Sequence, residues 1–474
     1  MITWGINSSS HDSALAVFNE DQCVFASSAE RFSKIKNSFG FDEKLINYAF
    51  NFGQPSEIIY SEKNIYKNIR KFFYGGEFKK EIEIVLPSSY KKSSFFHHHS
   101  HAAFGYYTSP FDKCLILVID AIGEFDCLSI WKGENNKLKK IKSYWYPNSI
   151  GLFYSAMTQR VGLKPNEEEY ILMALAAYGD PMKYKKEIMN TFFDYNFNLK
   201  TNMHRGCLSW NKPLRSKDYA HVAAAAQSIY EDYLKLIINT IRRINFSDNL
   251  VFTGGCALNC KANSLIYGYI NNVYIPFNPG DAGNAIGAIL AKKEKKIKFK
   301  DNFLGYEIKK NIDYKKIVNE LLKNKICGLA VGKAEFGPRA LGHRSLLANP
   351  KEKNIIKKLN KIKGREEFRP FALSILKEDA NKYFHMFNDK SQYMQYTYRY
   401  KNNDMKNICH VDMTSRIQTV DENNKELYFL LQEWKKETGL PYLINTSLNI
   451  KGQPMLNDEN DIVEFEKKYK IKVF

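Results

Sequence analysis

The sequence predicts an α/β protein of two domains, and three observations predict it. The chain has 474 residues, enough for two or three domains at roughly 150 residues each. Over residues 1–291, strand-like apolar runs alternate with Gly-containing turns and helical stretches. A charged, turn-poor stretch, "KKEKKIKFKDN" at 292–302, then leads into a block of different texture, richer in Arg. The expected domains are 1–298 and 303–474.

The elements follow in order. "ITWGIN" and the two β-rich runs of "SALAVFNEDQCVFASSAERF", around an Asn-Glu-Asp turn, read as strands. Residues 95–107, "FFHHHSHAAFGYY", read as a helix. "KCLILVIDAIGE" (113–124) is a buried strand ending in an acidic, Gly-containing turn, and "DCLSIWKG" and "LKKIKSYWY" continue it as a meander. Residues 151–180 and 220–245 have helical composition and an apolar face. "LVFTGGCALNCKANSLIYG" and "NVYIPFNPGDAGNAIGAILA" each read as strand, Gly turn, helix. In the second block "PFALSIL", "ICHVDM", "RIQTV" and "PYLINTSL" read as strands.

Composition narrows the function classes. Lys and Arg number 70 against 51 Asp and Glu, a net +19. Such a balance suits nucleic acid, an anionic membrane surface, or anionic small substrates such as nucleotides and phosphates. The Lys residues are spread along the chain, and there is no RNP-type motif, zinc finger or basic heptad helix, which disfavours nucleic acid. The start carries no signal-peptide pattern, no run of about 18 apolar residues exists, and the eight cysteines are scattered without a CxxC. A cytoplasmic protein with no membrane span is expected.

Four of the ten histidines occupy five positions: His97, His98, His99 and His101. Residues four apart share a helix face, so His97 and His101 point the same way. They form half of a metal site, which one carboxylate would complete as a two-His, one-carboxylate set suited to Fe(II) and similar ions. His98, three residues from His101, is an alternative partner. Asp281, in the Gly-flanked turn of "NPGDAGNAIGA", is the candidate carboxylate. Gly280 and Gly283 there permit close backbone approach to a ligand. With "TGGCALN" (Gly254, Gly255, Asn259) and "DAIGE" (Asp120, Gly123), it makes three Gly turns, which together suggest a cradle for nucleotide phosphates.

The chain resembles the NodU/TobZ-type O-carbamoyltransferases along nearly its whole length. The resemblance is carried by "HDSALAV", "AERFSKIK", "HHHSHAAFGYYTSPF", "VIDAIGE", "SIGLFYSAMT", "TGGCALNCKAN", "PGDAGNAIGA", "EFGPRALGHRSLLANP", "IKGREEFRPFALSIL", "HVDMTSRIQTV" and "TGLPYLINTSLNIKGQP". It implies a first domain with the duplicated RNase H-like fold of the sugar kinase–actin superfamily, in two lobes at roughly 1–112 and 113–298, closed around a nucleotide. It implies a second, YrdC-like domain that forms carbamoyl-adenylate. His97, His101 and Asp281 match the family's iron ligands. Carbamoyl phosphate, ATP with Mg2+, and a hydroxyl-bearing small molecule or sugar are the implied partners; the oligomeric state is open, a homodimer included.

The second block's own residues agree with anion chemistry. Arg339, Lys363, Arg369 and Arg416, with Arg344 and Arg365, sit in short motifs, and Arg binds phosphate bidentately. "NTSLN" places Asn445, Ser447 and Asn449 at alternating positions, on one face of an extended segment, able to donate to the carbamoyl group and phosphates. The expected reaction joins carbamoyl phosphate and ATP in the second domain, then transfers the carbamoyl group to a hydroxyl in the first. His11 in "SSHDS", beside Asp12, is placed to orient or deprotonate that hydroxyl. A related tRNA-modifying or hydrogenase-maturation carbamoyltransferase is the alternative enzyme, and a non-catalytic scaffold the alternative class. Three departures from the family pattern favour the last: Ile171 where a Lys is usual, Ala121 in place of Gly in "DGxGE", and Met413 in place of Gly in "HVDGT". Loss of the Lys is expected to weaken nucleotide binding in the first domain.

Overall fold

The computed structural model describes residues 1–8, 12–74, 90–207, 210–401, 405 and 407–474. The chain forms two compact units: Met1–Gln22 with Gly53–Lys298, and Cys23–Phe52 with Phe299–Phe474. Residues 23–52, inside the expected first domain 1–298, thus fall with the second unit. The reason is local. Arg31, 3% exposed, donates to the carbonyls of Leu456 (3.2 Å) and Glu335 (3.3 Å). Lys34 pairs with Asp461, and the Tyr48 ring lies 4.8 Å from that of Tyr306.

The first unit is two α/β halves of one design. In one sheet the strand Ile2–Asn7 pairs antiparallel with Ala14–Asn19 and parallel with Glu57–Tyr60, which pairs parallel with Lys91–Ser94. In the other, Cys114–Ile119 pairs antiparallel with Asp126–Glu134 and parallel with Asn249–Thr253, which pairs parallel with Asn272–Tyr274. The same hairpin flanked by the same parallel strands, twice, is the expected duplicated fold of the sugar kinase–actin type. The strand Cys114–Ile119 is buried at every residue, as a run of six apolar side chains requires.

The helix His97–Thr108 is buried almost all round, so both faces must meet protein and its small residues carry the close contacts. It packs against the helix Asn284–Lys293 at Gly287, where a Cβ would come within 2.1 Å of the Ser100 carbonyl. A larger residue would push the two helices, and the side chains they carry, apart.

The expected helix over 151–180 is broken into Ile150–Arg160 and Glu169–Leu175, while Tyr219–Ile244 is continuous. The expected linker start, 292–293, is the end of the helix Asn284–Lys293.

The second unit is also α/β. Its main sheet runs Ile326–Ala330, Arg344–Ala348, Tyr442–Ser447, Ala372–Leu376, Thr414–Val420, Thr397–Arg399, with only the Ala372–Leu376/Thr414–Val420 pair parallel. Leu329, Leu347 and Leu443 of the sheet cluster with Ile317 and Leu321 of the helix Tyr314–Lys323 and with Leu427, Leu431 and Trp434 of the helix Lys425–Thr438.

"ICHVDM", expected as a strand, is a loop closed by a turn in which the Met413 N–H donates to the His410 carbonyl at 3.0 Å. Met413 sits at φ 59°, in the left-handed region, where a side chain is strained by about 1 kcal/mol or more. Ala121 is not among the residues with positive φ and carries no such strain. Ile171 lies on the helix Glu169–Leu175 and is 1% exposed. The side chain is core packing, so position 171 is not an open surface. Ile171→Lys would bury an unpaired ammonium. The expected outcome is a fall in the chemical-denaturation free energy of about 3 kcal/mol or more; an unchanged unfolding midpoint would place position 171 in reach of solvent.

Candidate functional site

In the first unit the histidine helix follows the strand Lys91–Ser94, and His97 and His101 reach Asp120, the residue after the strand Cys114–Ile119. His97 Nε2 and His101 Nε2 lie 3.1 Å apart. Asp120 Oδ2 is 3.0 Å from the first and 3.1 Å from the second. Asp281 Oδ1 is 3.4 Å from both. One donor atom from each of the four residues lies within 4.8 Å of the others, and all four residues are at most 9% exposed. Two ring nitrogens and two carboxylate oxygens aimed at one buried point leave lone pairs that protons alone satisfy poorly. A single divalent cation with mixed nitrogen and oxygen preference fits the set.

The electrostatics are those of a coupled buried cluster. Burial and the neighbouring Asp281 act to raise the Asp120 carboxyl, and its contacts with His101 and His97 outweigh them, holding it at about 2. Burial acts to lower His97, and Asp281, Asp120 and Glu62 together raise it well above the usual imidazole range. Around these four residues stand groups that sequence reasoning missed. Glu62 Oε1 lies 3.0 Å from His97 Nδ1. Glu124 accepts the backbone N–H of His97 (3.1 Å) and of Lys63 (2.8 Å), fixing the start of the helix. Asp120, expected at the nucleotide cradle from its Gly turn, stands among the imidazoles.

The three glycine turns come together. The Gly254 N–H donates to the Pro279 carbonyl at 2.9 Å, joining the "TGG" and "PGD" turns. A Cβ on Gly255 would lie 2.9 Å from Asp120 Oδ1, and one on Gly123 would lie 3.3 Å from the His97 Cβ. Both ends of the Asn259 side chain are taken by the protein. Its Oδ1 caps the helix Cys260–Ile266 through the Ala262 N–H (3.0 Å), and its Nδ2 donates to Gln227 (2.9 Å). Asp12 has φ 65°, and its carbonyl accepts from Asn7 Nδ2 at 3.2 Å. Asn7 also accepts from Ser61 (2.7 Å), the residue before Glu62, so the Asp12 loop is tied to this region. His11 lies outside the described residues.

In the second unit Lys363, Ser447 and Asn449 form one group. Lys363 Nζ donates to the Ser447 carbonyl at 2.6 Å and to Asn449 Oδ1, and Ser447 Oγ donates to Asn449 Oδ1 at 2.8 Å. Burial, then the positive charges of Arg365, Lys36 and Arg369, push the Lys363 ammonium well below its usual range. Arg369 is half-buried, 3.3 Å from Glu366. Arg416, on the strand Thr414–Val420, keeps a buried Nε without a hydrogen-bond partner among the described residues. Arg339 is half-buried in the loop after Gly332–Glu335. Asn445 is buried deeper than Ser447 and donates to Ser374 (2.8 Å) and the Ala340 carbonyl (3.1 Å).

Arg344 does not belong to an anion site: it is fully buried and donates to the carbonyls of Val331, His343, Tyr306 and Asn457. Its motif is organised by Glu335, whose Oε1 accepts the backbone N–H groups of Leu341 (2.7 Å), His343 (2.9 Å) and Arg344 (3.1 Å). The run "EFGPRALGHR" carried that signal in its leading Glu.

Family models match both parts of the chain: Carbamoyltransferase N-terminus over residues 56–290 and Carbamoyltransferase C-terminus over residues 318–474. The chain belongs to the carbamoyltransferase family and is a transferase. It is 31% identical to an uncharacterized protein of Methanocaldococcus jannaschii, over 96% of this chain and 94% of that one. It is 29% identical to nodulation protein NolO of Bradyrhizobium diazoefficiens, covering 77% and 75%. It is 25% identical to the 3'-hydroxymethylcephem-O-carbamoyltransferase of Amycolatopsis lactamdurans, covering 96% and 94%. No helix of the described residues is long and apolar enough to cross a membrane.

The two turns joined at Gly254 and Pro279 differ in their need for glycine. Gly254 has φ +95°, and a Cβ there would meet the Ile119 carbonyl at 2.2 Å; a Cβ on Gly280 would find nothing nearer than 3.7 Å. Gly254→Ala is expected to cost about 2 kcal/mol or more, and Gly280→Ala less than about 1 kcal/mol. Equal thermal midpoints for the two variants would contradict this placement of the turns.

Proposed function

We propose that the protein is an ATP-dependent O-carbamoyltransferase working in two steps. In the second unit water cleaves carbamoyl phosphate to carbamate and phosphate, and a carbamate oxygen then bonds to the α-phosphorus of ATP as the bond to pyrophosphate breaks, giving carbamoyl-adenylate. In the first unit the carbamoyl group passes to an acceptor hydroxyl: the C–O bond to the acceptor forms, the bond to AMP breaks, and the hydroxyl proton leaves to a base. The acceptor is a sugar or a small hydroxylated natural product. One relative, 25% identical, is an O-carbamoyltransferase by name, which supports this class.

The observation that carries the first step is Lys363. Its Nζ is buried against the Ser447 carbonyl and Asn449, and Arg365, Lys36 and Arg369 beside it disfavour its positive charge, an arrangement that a bound polyanion relieves. Lys363, Arg369, Arg416 and Arg339 neutralise phosphate oxygens so that two polyanions can lie side by side, which water alone does not allow. Ser447 and Asn449 orient the carbamoyl end.

For the second step, His97, His101, Asp120 and Asp281 would hold a divalent ion, Fe2+ or a similar one. When bound, such an ion supplies Lewis acidity toward a carbonyl oxygen. The chain's own residues do the remainder. The Gly254 and Gly280 turns present backbone to the adenylate, with Mg2+ accompanying ATP. His11, next to Asp12, takes the acceptor proton. Burial of the site limits hydrolysis of the activated carbamate.

The experiment separates the halves. Carbamoyl phosphate-dependent ATP–pyrophosphate exchange should fall about 10²-fold or more in Arg416→Ala and persist in His101→Ala. Loss of exchange in His101→Ala with full exchange in Arg416→Ala would overturn the division of labour.

A further inference from the structure

The two imidazoles of the metal centre are not equivalent, and the difference lies behind them. His97 Nδ1 and His101 Nδ1 are both buried and neither makes a hydrogen bond among the described residues; what differs is that a carboxylate stands behind the first. His97 Nδ1 faces Glu62 Oε1 at 3.0 Å. Glu62 is itself fixed: its other oxygen lies 2.8 Å from Lys67 Nζ. The side chains of Glu62 and Lys67 are 5% and 14% exposed, so water competes little for either contact. Burial acts to raise the Glu62 carboxyl, and Lys67 and then His97 bring it down to about 2.

We infer that Glu62, held by Lys67, is a positioning residue that keeps the proton of His97 on Nδ1 and so makes His97 the anchoring imidazole of the pair. A carboxylate behind a ligating imidazole fixes its tautomer, turns the lone pair of Nε2 toward the ion and raises its basicity. Nothing described holds His101 in the same way, so that ring follows the ion and does not preset the site. The Ser61 hydroxyl, one residue before Glu62, donates to Asn7 (2.7 Å), and the Lys63 N–H, one residue after, donates to Glu124 (2.8 Å). Glu62 therefore stands on a segment pinned on both sides, and its carboxylate is presented to the helix without help from the ion. The inference rests on the metal-centre reading of the four donors.

The test is titration of the metal-stripped full-length protein with Co2+, followed by its visible absorption and by calorimetry, with no substrate present. Glu62→Gln retains an oxygen that accepts the His97 proton and is expected to weaken Co2+ binding by less than about tenfold. Glu62→Ala is expected to weaken it by ~10–100-fold and to change the ligand-field bands. His101→Ala, which keeps Glu62 and His97, is expected to retain a weaker site whose affinity still depends on Glu62 in the double variant. Equal affinity and equal spectra for wild type and Glu62→Ala overturn the inference. Equal weakening in Glu62→Ala and Glu62→Gln overturns the tautomer role in favour of charge alone. A wild-type protein that binds no Co2+ overturns the metal-centre reading itself, a distinct result. Thermal midpoints of the metal-free variants guard against a folding defect, which would also count against Glu62 as a positioning residue if it alone explained the loss.

Discussion

Two acidic side chains and two imidazoles meet at one buried point, and much of the first unit is arranged to make that possible. His97 and His101 come from one turn of a helix, Asp120 from the end of a buried strand, and Asp281 from a Gly turn before the helix Asn284–Lys293. The four arrive on three elements, so the elements must be locked against one another. Gly287 lets the two helices touch at Ser100, and Gly254 lets the "TGG" turn pass under Ile119. Charged and polar groups buried this deeply are tolerated only when partnered. Glu62 and Glu124 extend the partnering outward to Lys67 and to the backbone of the helix start.

The second unit meets a different constraint with the opposite sign. Its carboxylate Glu335 is used up inside the fold, gathering three backbone N–H groups of its own loop, and Arg344 is used up on carbonyls. Their charges hold the loop. What the proposed first step leaves for substrate is the set around Lys363, beside which stand the cations Arg365, Lys36 and Arg369. In the proposed function the two units divide the electrostatic labour: the cluster in one takes a cation, and the cluster in the other takes anions. That division accords with a family whose two parts are matched by separate models.

The sequence made the helix His97–Thr108 and the pair His97/His101 legible because a helical repeat of four puts them on one face regardless of tertiary context. The Gly turns were legible as turns, and they do converge. Asp120 was read toward nucleotide because spacing along a chain does not say which of two nearby sites a strand end faces. Glu62 was invisible: it sits in an ordinary loop, 35 positions before His97, and only the fold brings them to 3.0 Å. Residues 23–52 looked continuous with what precedes them, since long-range packing of Arg31 against Glu335 and Leu456 leaves no local pattern. "ICHVDM" has strand composition, but a left-handed residue at Met413 turns it into a loop. Ile171 read as a lost charge because a motif comparison records identity and not burial.

The central claim is that His97, His101, Asp120 and Asp281 hold one ion together. X-ray absorption at the metal edge, on protein loaded with one equivalent of Fe2+ under anaerobic conditions, tests it most directly. The account predicts one tightly held ion per chain, with a first shell of nitrogen and oxygen near 2.0–2.2 Å and outer-shell scattering from about two imidazole rings. An ion that washes out, or a shell of oxygen alone with no imidazole scattering, would contradict it.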